Sequence, residues 1–204
     1  MTELSSVGEA VEALRAGRLA VVPTDTVYGL AATPYRVAPA LELYRLKGRP
    51  ATQPTALLAP DLDMLFECVP ELRGRSGTIA RALLPGPYTL VLPNPAKRFA
   101  WLCGETPEAI GVRVPDLAAG PGRDVLVRAG ALVATSANLA GGPEPRRLAD
   151  VPEAIRAACV LVDGGELPGT SSTVLDFTGA EPRVLREGAA PAAEALARVA
   201  AALA

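Results

Sequence analysis

Apolar and polar positions recur along this chain in two rhythms. A spacing of three to four residues over residues 7–16, with Ser6 and Glu9 placed as a capping box and Gly17 as a stop, predicts a helix with both ends specified. The same spacing predicts helices over 37–46 (Val37, Leu41 and Tyr44 on one stripe), 61–69, 77–84 behind Ser76, 152–158 and the alanine-rich 191–203. Short runs of aliphatic and β-branched residues predict strands at 18–22, 55–59, 88–92, 110–114, 131–135, 160–162, 173–177 and 183–185. Residues 115–123 and 164–169 read as loops too short to separate domains, so residues 1–204 are expected to form one domain. Helices and strands interleave, which makes the class α/β. Strands 88–92 and 110–114 follow each other with no helix between them, so the sheet is expected to mix parallel and antiparallel neighbours.

Composition narrows the chemistry. Half of the 204 residues are apolar, enough for a sizeable core, and the formal net charge of −2 offers no global basic field for nucleic acid. A local basic groove remains open. The absence of histidine excludes His-based triads and His-ligated metals. Cys68, Cys103 and Cys159 form no paired motif and read as reduced thiols of a cytoplasm. The start MTELSSVGEAVEAL has early acids and no apolar core of a leader, and no run approaches the ~20 apolar residues of a membrane span. Lysine occurs only at 47 and 97, against an arginine-rich background that reads as a compositional bias of the genome.

Four polar clusters stand at predicted strand or helix ends: Pro23-Thr24-Asp25-Thr26, Lys47-Gly48-Arg49-Pro50, Thr135-Ser136-Ala137-Asn138 and Ser171-Ser172-Thr173. In α/β folds ligands lie beyond strand ends, so the clusters are candidates for one cleft. Each reads in two ways. Lys47 and Arg49 supply a compact charge and a planar fork suited to a polyphosphate, or simply decorate a helix C-terminus. Ser136 and Asn138 point to one side of an extended segment, or make a turn. Arg113 and Arg186, in otherwise apolar strands, are surface charges or anion ligands. No P-loop and no Gly-x-Gly-x-x-Gly after a strand is present.

Taken in order, PTDTVYGL, LKGRP, LLPGPYTLVLP, GVRVP, ATSANLAGGP and STVLDF…VLREG, spread over residues 18–188, resemble the YrdC/Sua5 family of threonylcarbamoyl-AMP synthases in its short single-domain form. The resemblance implies an α/β fold of the YrdC/RibB-like kind: a twisted mixed sheet, flanking helices and a large, positively lined concave groove. It implies a cytoplasmic nucleotidyltransferase that makes threonylcarbamoyl-adenylate from L-threonine, bicarbonate and ATP, with Mg2+ accompanying the ATP. The product serves the N6-threonylcarbamoyl modification of adenosine 37 of tRNA through a downstream transferase complex. Carried over by motif, Lys47, Arg49, Ser136 and Asn138 form the catalytic set and bind ATP together with Gln53, Glu144 and Arg186. Thr26, Leu58, Arg113 and Ser172 form the threonine pocket, with Arg113 on the carboxylate. Three positions depart from the family pattern: Gln53 replaces asparagine, Leu58 a histidine and Glu144 a small hydroxyl residue. Two other readings use the same groove. One is a YrdC-like RNA-binding protein without synthase activity; the other is a related carbamoyl-adenylate enzyme acting on carbamoyl phosphate.

Overall fold

In the computed structural model, which describes residues 4–204, helices and strands alternate along most of the chain. Their order is α1 (Val7–Ala16), β1 (Ala20–Pro23), β2 (Tyr28–Ala32), α2 (Val37–Lys47), β3 (Ala56–Leu58), α3 (Leu62–Cys68), α4 (Gly74–Leu83), β4 (Tyr88–Pro93), β5 (Ala109–Arg113), α5 (Pro121–Ala129), β6 (Leu132–Ser136), α6 (Glu153–Ala158), β7 (Val160–Leu161), β8 (Thr173–Asp176), β9 (Arg183–Arg186) and α7 (Ala192–Leu203). Met1, Thr2 and Glu3, on which the reading of the amino terminus partly rests, lie outside the described residues. Among the described residues no helix is long and apolar enough to cross a membrane.

Local signals set several boundaries. Ser6 Oγ accepts the Glu9 N–H, Glu9 Oε2 accepts the Ser6 N–H at 2.6 Å, and Gly17 closes α1 at a φ of 85°. Asp61 caps α3 by accepting the Met64 N–H at 2.8 Å. Elsewhere the structure corrects the sequence reading. Residues 121–123, read as loop, begin α5: Pro121 suits the first helical turn, and Val125 and Leu126 bury one face beside α1. Helix α4 starts at Gly74, not behind Ser76, and the Gly77 N–H reaches back to the Arg73 carbonyl at 3.4 Å. The stripe of α2 is not Val37–Leu41–Tyr44, since Val37 and Leu41 are exposed. Ala40, Leu43, Tyr44 and Lys47 share the buried face instead, spaced i, i+3, i+4, i+7. A lysine therefore ends a core stripe. Strand β2 follows directly on the PTDT segment and pairs antiparallel with β1, Pro23 opposite Tyr28, so residues 24–27 are the loop of a hairpin.

One nine-stranded sheet runs in the order β7-β1-β2-β6-β3-β5-β4-β8-β9. Pairs β1–β7, β3–β5 and β4–β8 are parallel and the others antiparallel, as expected of a mixed sheet. The two-residue period of a strand then sorts side chains between two faces. On one face Leu57, Leu90, Leu92, Ile110, Val112, Val133 and Leu175 join the main core with side chains of α2, α3, α4, α6 and α7. On the other, Ala10, Leu14, Val125 and Leu126 of α1 and α5 pack on Ala20, Val22, Ala31 and Leu132, on the β7 side of the sheet. Leu58 of β3 still belongs to that cluster, with Ala56 packed against it, but along the sheet from β5 through β4 and β8 to β9 no strand residue joins it, and this face carries Gly111, Arg113, Thr89, Val91, Val174, Asp176 and Arg183.

Candidate functional site

The uncovered face is the floor of a cavity of about 470 Å³. Pairing register shows how the floor is tiled. Ala134, Ala56, Gly111, Val91, Asp176 and Arg183 are successive partners across β6, β3, β5, β4, β8 and β9, and all line the cavity. A second row places Leu58 opposite Arg113 and Val174 opposite Arg186, again all on the cavity. Strand β5 alternates cleanly, with Ala109, Gly111 and Arg113 toward the cavity and Ile110 and Val112 in the core. This explains an arginine in a central apolar strand: it stands on the open face. In β9, Leu185 and Arg186 are adjacent yet both line the cavity, and a bulge in the β8–β9 ladder lies where their alternation breaks.

The cavity is cationic. Among the described residues, Arg49, Arg113, Arg183 and Arg186 line it, against the single carboxylate of Asp176. Asp176 is committed to Arg183, and Arg113 pairs with Asp25. Among the described residues neither Arg49 nor Arg186 has a carboxylate partner. Arg49 donates to Gln53 Oε1 at 2.8 Å and the Pro54 carbonyl at 2.6 Å. Arg186 donates through Nε and Nη2 to the Ser172 carbonyl, at 3.1 and 2.8 Å. After burial, Arg186 works against the charge of both Arg49 and Arg113, so these cations repel one another across the space between them. An anion entering that space relieves the repulsion.

Side-chain hydrogen bonds fix two of the loops beside the cavity. In the β1–β2 hairpin, Thr24 Oγ1 donates to the Val27 carbonyl at 2.7 Å and accepts the N–H groups of Thr26 and Val27, both at 3.2 Å. Thr26 Oγ1 accepts from Arg113 Nη2 at 2.9 Å and is 3.1 Å from Thr24 Oγ1. Two threonines are needed here because one shapes the turn and the other seats an arginine. The Tyr28 hydroxyl lies 2.9 Å from Asp163 Oδ1 and 2.8 Å from the Gly165 carbonyl, and accepts the Gly164 N–H. Burial pushes that phenol up to about 12. The glycine-rich loop after β7 is thereby tied to the hairpin, and the Gly169 N–H adds a bond to the Thr26 carbonyl.

The predicted residues converge, in two layers. Arg49, Leu58, Arg113, Ser136, Ser172 and Arg186 line the cavity. Thr26, Lys47, Gln53 and Glu144 do not line the cavity but hydrogen-bond to residues that do, and Asn138 is held by Lys47 one step further back. Lys47 is 5% exposed, and its Nζ donates to the Ser136 carbonyl at 2.6 Å, Asn138 Oδ1 at 2.8 Å and the Asn138 carbonyl at 2.9 Å, with Ser136 Oγ at 3.3 Å. Burial pulls its ammonium down to about 8, Arg49 adds to this, and Glu144 opposes it. A direct contact with phosphate requires this ammonium to exchange one of its four acceptors. Glu144 accepts from the Ser171 hydroxyl, and Gln53 accepts from Arg49. Ser172 Oγ lies 2.8 Å from Thr89 Oγ1. Sequence reasoning passed over Asp25, Thr89, Asp176 and Arg183. The signal for the last three is their registration with Val174, Val91 and Asp176 across the sheet, which the sequence alone does not contain.

Comparisons with known proteins bear on the family and the fold. The Sua5/YciO/YrdC family, whose profile is described as telomere recombination, matches residues 12–188. A threonylcarbamoyl-AMP synthase of Stenotrophomonas maltophilia is 37% identical over 172 residues, covering 80% of this chain and 88% of that protein. One of Pyrococcus abyssi is 32% identical over 186 residues, covering 89% of this chain. The chain spans about half the length of that relative, 53%. The crystal structure of P. abyssi Sua5 complexed with L-threonine superposes with a TM-score of 0.84 at 31% identity, over 95% of this chain and 56% of that one.

Proposed function

Because this chain belongs to the Sua5/YciO/YrdC family, we propose that it is a threonylcarbamoyl-AMP synthase, a nucleotidyltransferase that joins L-threonine, bicarbonate and ATP into threonylcarbamoyl-adenylate and pyrophosphate. The observation that carries the reading is the set of arginines from three distant segments, Arg49, Arg113 and Arg186, on one cavity whose carboxylates neutralise only a fraction of their charge.

The chemistry asks for positioning more than proton transfer. The amine of threonine condenses with bicarbonate to a carbamate, a weak nucleophile that water readily decomposes. A carbamate oxygen attacks the α-phosphorus, a new P–O bond forms, and the bond to pyrophosphate breaks. Negative charge grows on the non-bridging oxygens and on the leaving group, where Arg49 and Arg186 are free to receive it. Lys47 acts one layer back, setting the Ser136 hydroxyl at the wall and fixing Asn138. Arg113 takes the threonine carboxylate, with Ser172 and Thr89 hydroxyls beside it. Among the described residues no group of three His, Cys, Asp or Glu is arranged to cage a metal. Magnesium would come with the ATP phosphates and would supply neutralisation of their charge. The adenylate then passes to a transferase that modifies tRNA.

The test is pyrophosphate release by the purified protein with ATP and bicarbonate, with and without L-threonine. Release that depends on both threonine and bicarbonate is expected. Release indifferent to threonine, or RNA binding with no turnover, rejects the synthase reading.

A further inference from the structure

Asp25 belongs to none of the roles given so far. It sits in the β1–β2 hairpin loop with its side chain 7% exposed, paired to Arg113, whose side chain is 10% exposed. Both carboxylate oxygens are committed to different segments. Oδ1 accepts from Arg113 Nη2, and Oδ2 accepts the Asp116 N–H at 3.0 Å. The carboxylate thus has no freedom to turn. Nη2 also donates to Thr26 Oγ1 at 2.9 Å, which uses both of its hydrogens. The rest of the guanidinium is uncommitted among the described residues: Nε is buried with no partner, and Nη1 makes no hydrogen bond.

This arrangement separates two kinds of anion. Arg113, neutralised by Asp25, presents directed N–H groups with little net charge. Arg49 and Arg186 present charge with no carboxylate opposite them. A triphosphate is drawn to unpaired charge, whereas a single carboxylate is satisfied by an N–H donor held in a fixed orientation. The charged neighbours of the pair are Asp116 beside Asp25 and Arg186 beside Arg113. Without Asp25, Arg186 would repel an unanchored Arg113.

We propose that Asp25 is a positioning residue, which fixes the Arg113 guanidinium so that its uncommitted Nη1 takes the carboxylate of the amino-acid substrate while the triphosphate is left to Arg49 and Arg186. The inference rests on the synthase reading for the identity of that substrate. It is tested by calorimetric titration, without bicarbonate, of L-threonine, L-threoninol (a hydroxymethyl group in place of the carboxylate) and ATP. The proteins are the wild type, Asp25→Asn and Thr26→Val. In Asp25→Asn the affinity for L-threonine falls by at least ~10-fold, as loss of a charge-assisted arrangement implies, and ATP affinity changes by less than ~3-fold. The preference for L-threonine over L-threoninol narrows by a similar factor. Thr26→Val keeps the ion pair and weakens L-threonine about 3-fold in the same selective way. This variant carries the test if Asp25→Asn does not fold. A merely structural role moves threonine and ATP together. That outcome, or unchanged threonine affinity in Asp25→Asn (in Thr26→Val, should Asp25→Asn not fold), overturns the proposal, as does a wild type that binds no L-threonine. A wild type that binds L-threonine in an Asp25-dependent way but releases no pyrophosphate rejects the synthase and leaves the role of Asp25 standing.

Discussion

Replacing Lys47 by methionine keeps the buried aliphatic stem and removes only the ammonium. Two effects oppose each other. The ammonium donates to three acceptors within 2.9 Å, and such charged hydrogen bonds are worth about 1.5–3 kcal/mol each. Against this, holding the charge in a buried position has a penalty. The fall from 10.5 to about 8 corresponds to roughly 3 kcal/mol. The Ser136 carbonyl lies at the cavity wall, where water can replace the ammonium, whereas the two Asn138 acceptors lie behind it, so the balance is a global loss of about 2–6 kcal/mol. Catalysis has no such compensation. Ser136 and Asn138 lose the group that sets their geometry, and a barrier increase of about 1.4 kcal/mol or more lowers turnover at least ~10-fold. The assay is pyrophosphate release at saturating substrates, paired with thermal unfolding of the same sample. Turnover within twofold of the wild type in a folded Lys47→Met protein would refute the reasoning.

Other outcomes follow from neighbouring contacts. Arg113→Leu leaves the Asp25 carboxylate buried without its countercharge, so urea unfolding should show a loss of ~3–5 kcal/mol; a loss below ~1 kcal/mol would mean that the pair is not held as described. Gly188→Val places a Cβ 2.6 Å from the Ser172 carbonyl oxygen, so Ser171 and Ser172 must move, and the KM for L-threonine should rise several-fold, measured by pyrophosphate release. Leu58→His sets an imidazole next to Arg113 on the cavity face and is expected to tighten L-threonine binding in calorimetry; no change would show that residue 58 does not meet the amino acid. Lys47 holds its loop as a cation, and its folded value is depressed, so the charged form is lost as pH rises through about 8. ATP affinity should therefore weaken above about pH 8 in the wild type, and calorimetry across pH should show no such step in Lys47→Met.

Much of the fold was legible because local signals agreed with the tertiary structure. Helix α1 has the range that its capping box and Gly17 predict, and the strands from β3 to β8 fall within a residue or two of their apolar runs. Two elements were hidden for physical reasons. Pro121 opens α5 in a proline- and glycine-rich stretch that also fits a loop, and β2 was obscured by the polar hairpin loop immediately before it. The site was legible as a set of motifs but not as layers. Nothing local distinguishes Arg49, which reaches the cavity, from Lys47, which ends the buried stripe of α2 two residues earlier. The partnership of Asp25 with Arg113 spans 88 positions and depends on the order of strands in the sheet.

The most direct measurement is a crystal structure of the protein with L-threonine and a non-hydrolysable ATP analogue. It should place the threonine carboxylate within hydrogen-bonding distance of Arg113 and the phosphates against Arg49 and Arg186, in the one cavity. Either ligand bound elsewhere on the molecule, or phosphates seated on Arg113 with the arginines at 49 and 186 untouched, would contradict the account.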